Sequence, residues 1–287
     1  MITLHNETLT AIISPLGAEL QSLLHANGLQ YMWGGNPAFW GKHSPVLFPI
    51  VGTLAGDSYE YGGKMYSLPR HGFARNMVFT VEQAGPSEAV FILASNEETL
   101  QAYPFEFTLQ LSYQLQDNQL QCSYTVSNPG HKTLLFSVGG HPAFAVPLLP
   151  GAAYTDYYLQ FNADEPLQRH HLQNGLLSGA TEMLSAPNGR LALEPGLFYN
   201  DAIVLKHLQS DSITLASSKH THGLHFHYKN FPYLGIWGAK DAPFVCVEPW
   251  CGVADSTNHN QKLEDKEGIM QLEAGQSWQR TWMVECF

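Results

Sequence analysis

The sequence predicts an all-β fold, a large antiparallel β-sandwich with very little helix, on three observations. The dominant hydrophobic period is two, the spacing that sends alternate side chains to opposite faces of a strand. Gly and Pro, 25 and 17 of 287 residues, are spread throughout, and no stretch stands out as a linker. Helical signal is confined to one short segment. With no convincing internal repeat, we expect one continuous domain over residues 1–287.

Taken in order, Leu9 to Ile13 reads as a first short strand, and Tyr59 to Leu68 as a hairpin turning at Gly62-Gly63. Val78 to Val81 and Ala89 to Leu93 follow as strands. Ser95-Asn96-Glu97-Glu98 resembles a capping box, and the turn it starts must end before Pro104. The clearest pattern runs next. Phe105, Phe107, Leu109, Leu111, Tyr113 and Leu115 alternate with polar residues, and after Gln116-Asp117-Asn118-Gln119 the pattern resumes at Leu120, Cys122, Tyr124 and Val126. This is a long antiparallel hairpin with one buried and one wetter face, closed by Asn128-Pro129-Gly130. Ala202 to Leu205, Ile213 to Ala216, Leu224 to Tyr228 and Trp278 to Val284 complete the strands.

Composition excludes several function classes. The formal net charge is −11 and no Lys/Arg cluster forms a basic patch, which argues against nucleic acid and against a polyanionic membrane surface. A neutral or cationic small partner suits this balance. No run of about 18 apolar residues could cross a membrane as a helix. The N-terminus lacks the basic-then-apolar order of a signal peptide. Cys122, Cys246, Cys251 and Cys286 show no CxxC spacing and read as reduced, buried thiols of a cytoplasmic protein. No Gly-rich strand-to-helix phosphate loop is present, so we expect no nucleotide cofactor.

Four segments gather polar groups among turn residues: Arg70 to Arg75, Gly140-His141-Pro142, Tyr199-Asn200-Asp201 and Val245 to Val253. In the second, Gly139-Gly140 would let backbone or ligand approach closely, and Pro142 pushes His141 toward an extended backbone. Glu248, which we read as ending an apolar strand, precedes Pro249 in the same way. A carboxylate and an imidazole, with ordinary pKa values of about 4.3 and 6.5, make a workable base and acid near neutral pH. Phe48, Phe144, Trp237 and Trp250 could offer flat faces to a sugar ring.

Each feature also has a plain structural reading. A lone histidine on a strand is ordinarily a hydrogen-bonded framework residue, Asp201 after Asn200 a turn residue, and the aromatics core. A buried unpaired carboxylate is costly, but a salt bridge from Glu248 to an arginine such as Arg75 would account for it. His220, His222, His225 and His227 could share strand faces in pairs and bind a metal. No Cys or carboxylate sits at a familiar ligand spacing beside them, and we assign no metal.

With these residues in view, the chain resembles the aldose 1-epimerase (galactose mutarotase) family, in the branch of the bacterial LacX-type proteins. The resemblance runs nearly end to end, on Ser44 to Gly52, His71-Gly72-Phe73-Ala74-Arg75, the long hairpin, Gly140 to Phe144, Asn200-Asp201 and Glu248-Pro249-Trp250. It implies a β-sandwich with a cleft on one sheet and α/β interconversion at the anomeric carbon of an aldose, without cofactor. By resemblance, Glu248 is the general base, His141 the general acid, His71 assists at the ring oxygen and Asp201 holds hydroxyls. Arg75 belongs to the branch's own motif. Many relatives carry an arginine in the sugar site after the Val-Gly of the first motif, where this chain has Thr53. An acidic neighbourhood would favour a charged His141. The geometric expectation is that Glu248 and His141 converge across one cleft, several ångströms apart, with room for a pyranose ring. A non-catalytic sugar-binding or regulatory protein on the same scaffold is the competing reading, motivated by Thr53. Specificity for a hexose 6-phosphate is another, and would draw on Lys42, Arg75, Lys229 or Lys240.

Overall fold

The computed structural model describes residues 1–83, 85–163 and 166–287. Among these, the strands form two large sheets and three small ones, and the ladders between paired strands are antiparallel. The larger sheet has nine strands. At its middle the hairpin Thr108–Gln116 and Gln119–Ser127 pairs Gln116 with Gln119 across a two-residue turn. Asp117 takes a positive φ there, as a tight turn requires. Leu109, Leu111, Tyr113 and Leu115 enter the core from one strand, Leu120, Cys122, Tyr124 and Val126 from the other. The expected hairpin at Gly62-Gly63 also forms, between Ser58–Tyr61 and Lys64–Ser67, with both glycines at positive φ.

The eight-stranded sheet carries the site. Its central strand, Phe244–Cys251, is buried at every position, so its sequence reads as an apolar run with no alternation. The faces still differ. Val245, Val247 and Cys251 enter the main core shared with the larger sheet, whereas Phe244, Cys246, Glu248 and Trp250 have the opposite parity and look away from it. Glu248 therefore does not end the strand. It sits inside it, opposite Gly235 of the neighbouring strand Tyr233–Trp237.

On the other side of Phe244–Cys251 the ladder breaks. Ala143 pairs with Cys246 and Gly139 with Trp250, which leaves Gly140-His141-Pro142 facing Val247-Glu248-Pro249. One hydrogen bond crosses the gap, from Val247 N to Pro142 O at 3.2 Å. Strand N–H groups alternate in direction, so Pro249 would direct the next one into the gap, and proline has none to donate. The two X-Pro steps thus meet at one point and hold the sheet open there.

The helix forms one residue later than its capping box was read. Glu97–Ala102 is capped by Asn96, whose Oδ1 accepts from Thr99 N at 2.9 Å, while Thr99 Oγ1 accepts from Asn96 N at 2.8 Å. Several strands carried no legible pattern. In the hairpin Gln168–Gln173 and Leu176–Met183, most of the second strand is exposed and nothing alternates. The strand expected from Val78 begins at Thr80, and Val78 itself is exposed.

Candidate active site

A cleft of about 330 Å³ opens at the ladder break, with His141, Glu248, His71, Arg75 and Asp201 on its walls. Trp40, Trp237 and Trp250 supply its aromatic surface, and Arg70 stands at its edge with its side chain about half exposed. The glycines next to His141 serve the protein itself. A Cβ on Gly139 would lie 2.7 Å from Trp250 Cδ1, and one on Gly235 would lie 2.3 Å from Trp250 Cζ2. Two missing side chains therefore let the Trp250 indole lie across the sheet beside Glu248. Gly140 makes the same allowance for the Tyr124 hydroxyl, at 2.5 Å.

Glu248 is 1% exposed. Its nearest ionisable partner is His141, with Nε2 3.4 Å from Glu248 Oε2, and that oxygen accepts no hydrogen bond. The salt bridge to Arg75 considered from sequence does not form, since Arg75 Nη2 donates instead to Arg70 O at 2.6 Å. The expected convergence is present, but the two groups stand side by side at the cleft floor. A sugar ring must lie over the pair, because 3.4 Å leaves no room between them. Trp40 stacks on the imidazole with ring centres 4.8 Å apart, and Trp237 meets it edge-on at 5.6 Å.

Charge within the pair is set by dryness. Burial pushes Glu248 up to about 8, opposed by Arg70, by the Trp250 indole N–H and by Arg75. Burial pushes His141 down to about 3, helped by Arg75 and Arg70. The acidic residues of the cleft, Glu248 and Asp201, do not charge His141 against burial and the two arginines. The charges that shift it are the Arg75 and Arg70 guanidinium groups, and both oppose its protonation. Both shifts run toward the uncharged forms, carboxylic acid and neutral imidazole.

His71 is fixed by backbone. It sits at φ 69°, uncommon for a residue with a Cβ, and Gly72 follows at the same φ, where a Cβ would strike Phe48 O at 2.3 Å. Gly52 N donates to His71 Nδ1 at 3.1 Å, and His71 N donates to Gly52 O at 2.9 Å. Arg70 Nε also lies 3.2 Å from His71 Nε2. A neutral imidazole has a single acceptor nitrogen, so the two donors cannot both be served. The Gly52 N–H is fixed backbone and Arg70 the more exposed donor, so with Nδ1 accepting, His71 Nε2 carries the proton. Burial, Arg75 and Arg70 together hold His71 well below its usual range, hence neutral.

Asp201 takes φ 72°, and its Oδ1 accepts from Ala202 N at 2.8 Å and lies 3.5 Å from Arg70 Nη2. Buried Arg169 holds this turn by donating to the carbonyls of Asn200 and Asp201 at 3.1 and 2.9 Å. Trp40, Arg70 and Arg169 were not singled out from sequence. Trp40 and Arg169 lie in segments without clear alternation, and only Arg70 stood in a polar turn that invited attention.

Two aromatics expected at the ligand are not in the cleft. Phe48 is fully buried against Phe107, Phe136 and Tyr103, and Phe144 is buried with its ring 5.8 Å from Phe226. Both side chains take the core-facing parity of their strands. Of the cations considered for a phosphate, only Arg75 lines the cleft. Lys240 lies over the Tyr199 ring, and Lys229 borders a different hollow. Thr53 lies behind the wall, near Arg70: a Cβ on Gly175 would be 2.7 Å from Thr53 Oγ1 and 3.6 Å from Arg70 Nη1.

The four histidines near residue 220 do not converge. His220 Nε2 bonds the Tyr157 hydroxyl and His225 Nδ1 the Thr214 hydroxyl, each at 2.8 Å. Among the described residues, the three-residue set with metal-ligand geometry is His141, Cys246 and Glu248, their donor atoms within 4.8 Å of one another. Burial, with Glu248 adding, drives the Cys246 thiol well up.

Known proteins resemble this chain over nearly its whole length. A family model described as aldose 1-epimerase matches residues 1–279. The chain belongs to the aldose 1-epimerase family. It is 34% identical over 281 residues to the plasmid-encoded protein LacX of Lactococcus lactis subsp. lactis, covering 94% of each. A galactose mutarotase related enzyme from Lactobacillus acidophilus superposes with a TM-score of 0.95 at 35% identity, over 100% of this chain and 97% of that one. A galactose mutarotase-like protein from Lactobacillus casei ATCC 334 gives 0.94 at 37% identity over the whole of both chains. The large antiparallel sandwich of the family is thus the fold of this chain. Among its described residues no helix is long and apolar enough to cross a membrane.

Proposed function

We propose that this aldose 1-epimerase family member is a mutarotase, an isomerase that interconverts the α and β anomers of a hexose by ring opening and reclosure. The observation that carries the reading is the Glu248–His141 pair, buried and 3.4 Å apart at the cleft. The anomeric hydroxyl and the ring oxygen of a pyranose are bonded to the same carbon. Two groups side by side can therefore address both at once, as adjacent base and acid.

In the reaction Glu248 takes the proton of the anomeric hydroxyl and His141 gives one to the ring oxygen. The C1–O5 bond breaks as the aldehyde forms. Rotation about C1–C2 and the reverse transfers close the other anomer. Ring opening converts carboxylate and imidazolium into carboxylic acid and neutral imidazole. The dry site favours that second state, which is also its resting state, so the proton must first pass from Glu248 to His141 as the sugar binds. A sugar hydroxyl donating to the orphaned Glu248 Oε2 would stabilise the carboxylate needed at the start. His71, neutral and donating through Nε2, assists at the ring oxygen. Asp201 and Arg70 hold the remaining hydroxyls, and Arg70 supplies from another segment the guanidinium that Thr53 lacks. Trp237, Trp250 and Trp40 give the ring its apolar walls. Four buried free thiols suit a reducing, cytoplasmic setting.

Proton NMR exchange or polarimetry on freshly dissolved aldoses tests the proposal. Acceleration that disappears in Glu248→Gln and His141→Asn supports it. Saturable sugar binding without acceleration would mean a binding protein. Arg70 and Arg75 in one cleft favour a second reading, a hexose 6-phosphate as substrate. Comparing a hexose with its 6-phosphate decides between them.

A further inference from the structure

Cys246 takes no part in the proton transfers, yet it sits with the groups that do. It lies two residues before Glu248 on strand Phe244–Cys251, so both side chains leave the sheet on the same face. Ala143 pairs with Cys246, and His141 precedes Ala143 by two residues, at the break in the ladder. The Cys246 thiol, a ring nitrogen of His141 and a carboxyl oxygen of Glu248 thereby come within 4.8 Å of one another, all on buried residues. Glu248 Oε2 accepts no hydrogen bond and faces His141 Nε2. Trp33, Ala143 and Phe244 share a buried apolar cluster with Cys246, while His141 and Glu248 line the cleft and are reached from it.

The spacing suits one small ion. Nitrogen and oxygen ligands lie about 2.0–2.2 Å from zinc and a thiolate about 2.3 Å, so the donors of one tetrahedral ion stand about 3.3–3.7 Å apart. His141 Nε2 and Glu248 Oε2 are already 3.4 Å apart. A shift of no more than about 1 Å in the Cys246 sulfur brings in the third donor and leaves the fourth position for water from the cleft. Sulfur, imidazole and a single carboxylate suit zinc, whereas Mg²⁺ and Ca²⁺ require shells rich in oxygen. On coordination the thiol and the carboxyl each give up a proton to solvent, and their two negative charges cancel those of Zn²⁺. The bound set is then neutral as a whole, which a dry site beside Arg70 and Arg75 accepts where a bare dication would be repelled.

We propose that His141, Cys246 and Glu248 form a zinc site that switches the mutarotase off. With the ion in place, the His141 nitrogen that delivers a proton and the Glu248 oxygen that takes one are both bonded to metal. Zinc binding stands on the geometry of the three residues alone, and the inhibition rests on the mutarotase reading of the cleft.

Buffered Zn²⁺ added to the full chain tests both parts. Hexose anomer exchange followed by NMR is expected to fall by about 10²-fold or more, the scale of losing a positioned acid or base. A chelator should restore it, and Mg²⁺ should leave it unchanged. Cys246→Ala is expected to keep its metal-free turnover within a few-fold of the parent and to bind zinc about a hundredfold more weakly, read by competition with a chromophoric chelator. With Co²⁺ in place of Zn²⁺, the parent should show thiolate-to-cobalt charge-transfer absorption, a readout that needs no variant to fold. Zinc held as tightly by folded Cys246→Ala, or cobalt bound without that absorption, would place the ion on histidines elsewhere and overturn the site. Absence of zinc binding would overturn it too, and zinc bound through Cys246 with turnover unchanged would overturn the switch. If no sugar is converted even without metal, the mutarotase reading falls alone, and the cobalt absorption and chelator competition still decide the site.

Discussion

Glu248 and Asp255 are both 1% exposed carboxyls, seven residues apart, and the protein treats them in opposite ways. Asp255 is saturated. Its Oδ1 meets buried Lys266 Nζ at 2.9 Å, and its Oδ2 accepts from Ala55 N at 2.9 Å and lies 3.2 Å from His259 Nδ1. Its backbone N–H donates to Thr53 O, and its carbonyl accepts from Leu177 N. Glu248 has His141 at 3.4 Å and an oxygen with no hydrogen bond. Asp255 ties the segment behind Gly52 and His71 into one piece. Glu248 is left with an acceptor oxygen that a ligand hydroxyl can fill. A buried carboxyl with all its partners reads as structural, and one short of them as a candidate for chemistry.

The strongest way to break the contrast is Glu248→Gln. Turnover in NMR exchange is expected to fall by about 10²–10⁴-fold, while stability rises by about 1–2 kcal/mol, as when a strained functional group is removed. The sign of the pH dependence agrees. In the folded chain the carboxyl stays protonated up to about 8, well above its ordinary 4.5, so unfolding between those values releases a proton. The Glu248 contribution to parent stability therefore falls as pH rises through that window, opposed below about 6.5 by His141 and His71, which take up protons on unfolding, so the readout is the parent-minus-variant difference. Glu248→Gln unfolding at lower denaturant than the parent at pH 8 would undo the comparison. Lys266→Met tests the other side. It leaves Asp255 as an uncompensated buried charge and is expected to cost about 3–5 kcal/mol in urea unfolding, with turnover per folded molecule within a few-fold of the parent.

Two smaller effects sharpen the contrast. The parent kcat/KM should be level through neutral pH and fall about tenfold per unit above about 8, as the Glu248 carboxyl loses its proton. Arg70→Ala removes a cation that holds Glu248 down, so this limb moves to higher pH. The same variant should raise KM about tenfold, the scale of one charged hydrogen bond. A limb that stays in place would separate Arg70 from the pair.

How much of this was legible in the sequence follows from local physics. The Thr108–Ser127 hairpin was plain because one face is buried and the other wet, so alternation survives in the letters. Phe244–Cys251 was legible as a strand but not in extent, because burial on both faces erases the period and Pro249 looked like its end. His141 and Glu248 stood out through the shared X-Pro restraint, and the resemblance supplied their roles. Their 3.4 Å separation and the inversion of their ordinary charge states depend on dryness and on Arg70 and Arg75, which no local pattern encodes. Phe48 and Trp40 exchanged roles for the same reason. One aromatic beside a strand turned to the core, and another in an irregular segment came to cover the imidazole.

The break in the ladder also bears on folding kinetics. The long hairpin joins its strands through two residues, a contact that closes at little entropic cost. The proton pair joins positions about a hundred apart, and only after Gly139 and Ala143 have both found their partners on Phe244–Cys251. During refolding from denaturant, recovered sugar conversion should lag the circular dichroism of strand formation. Catalysis in this chain then reports on the last long-range registration of its sheet.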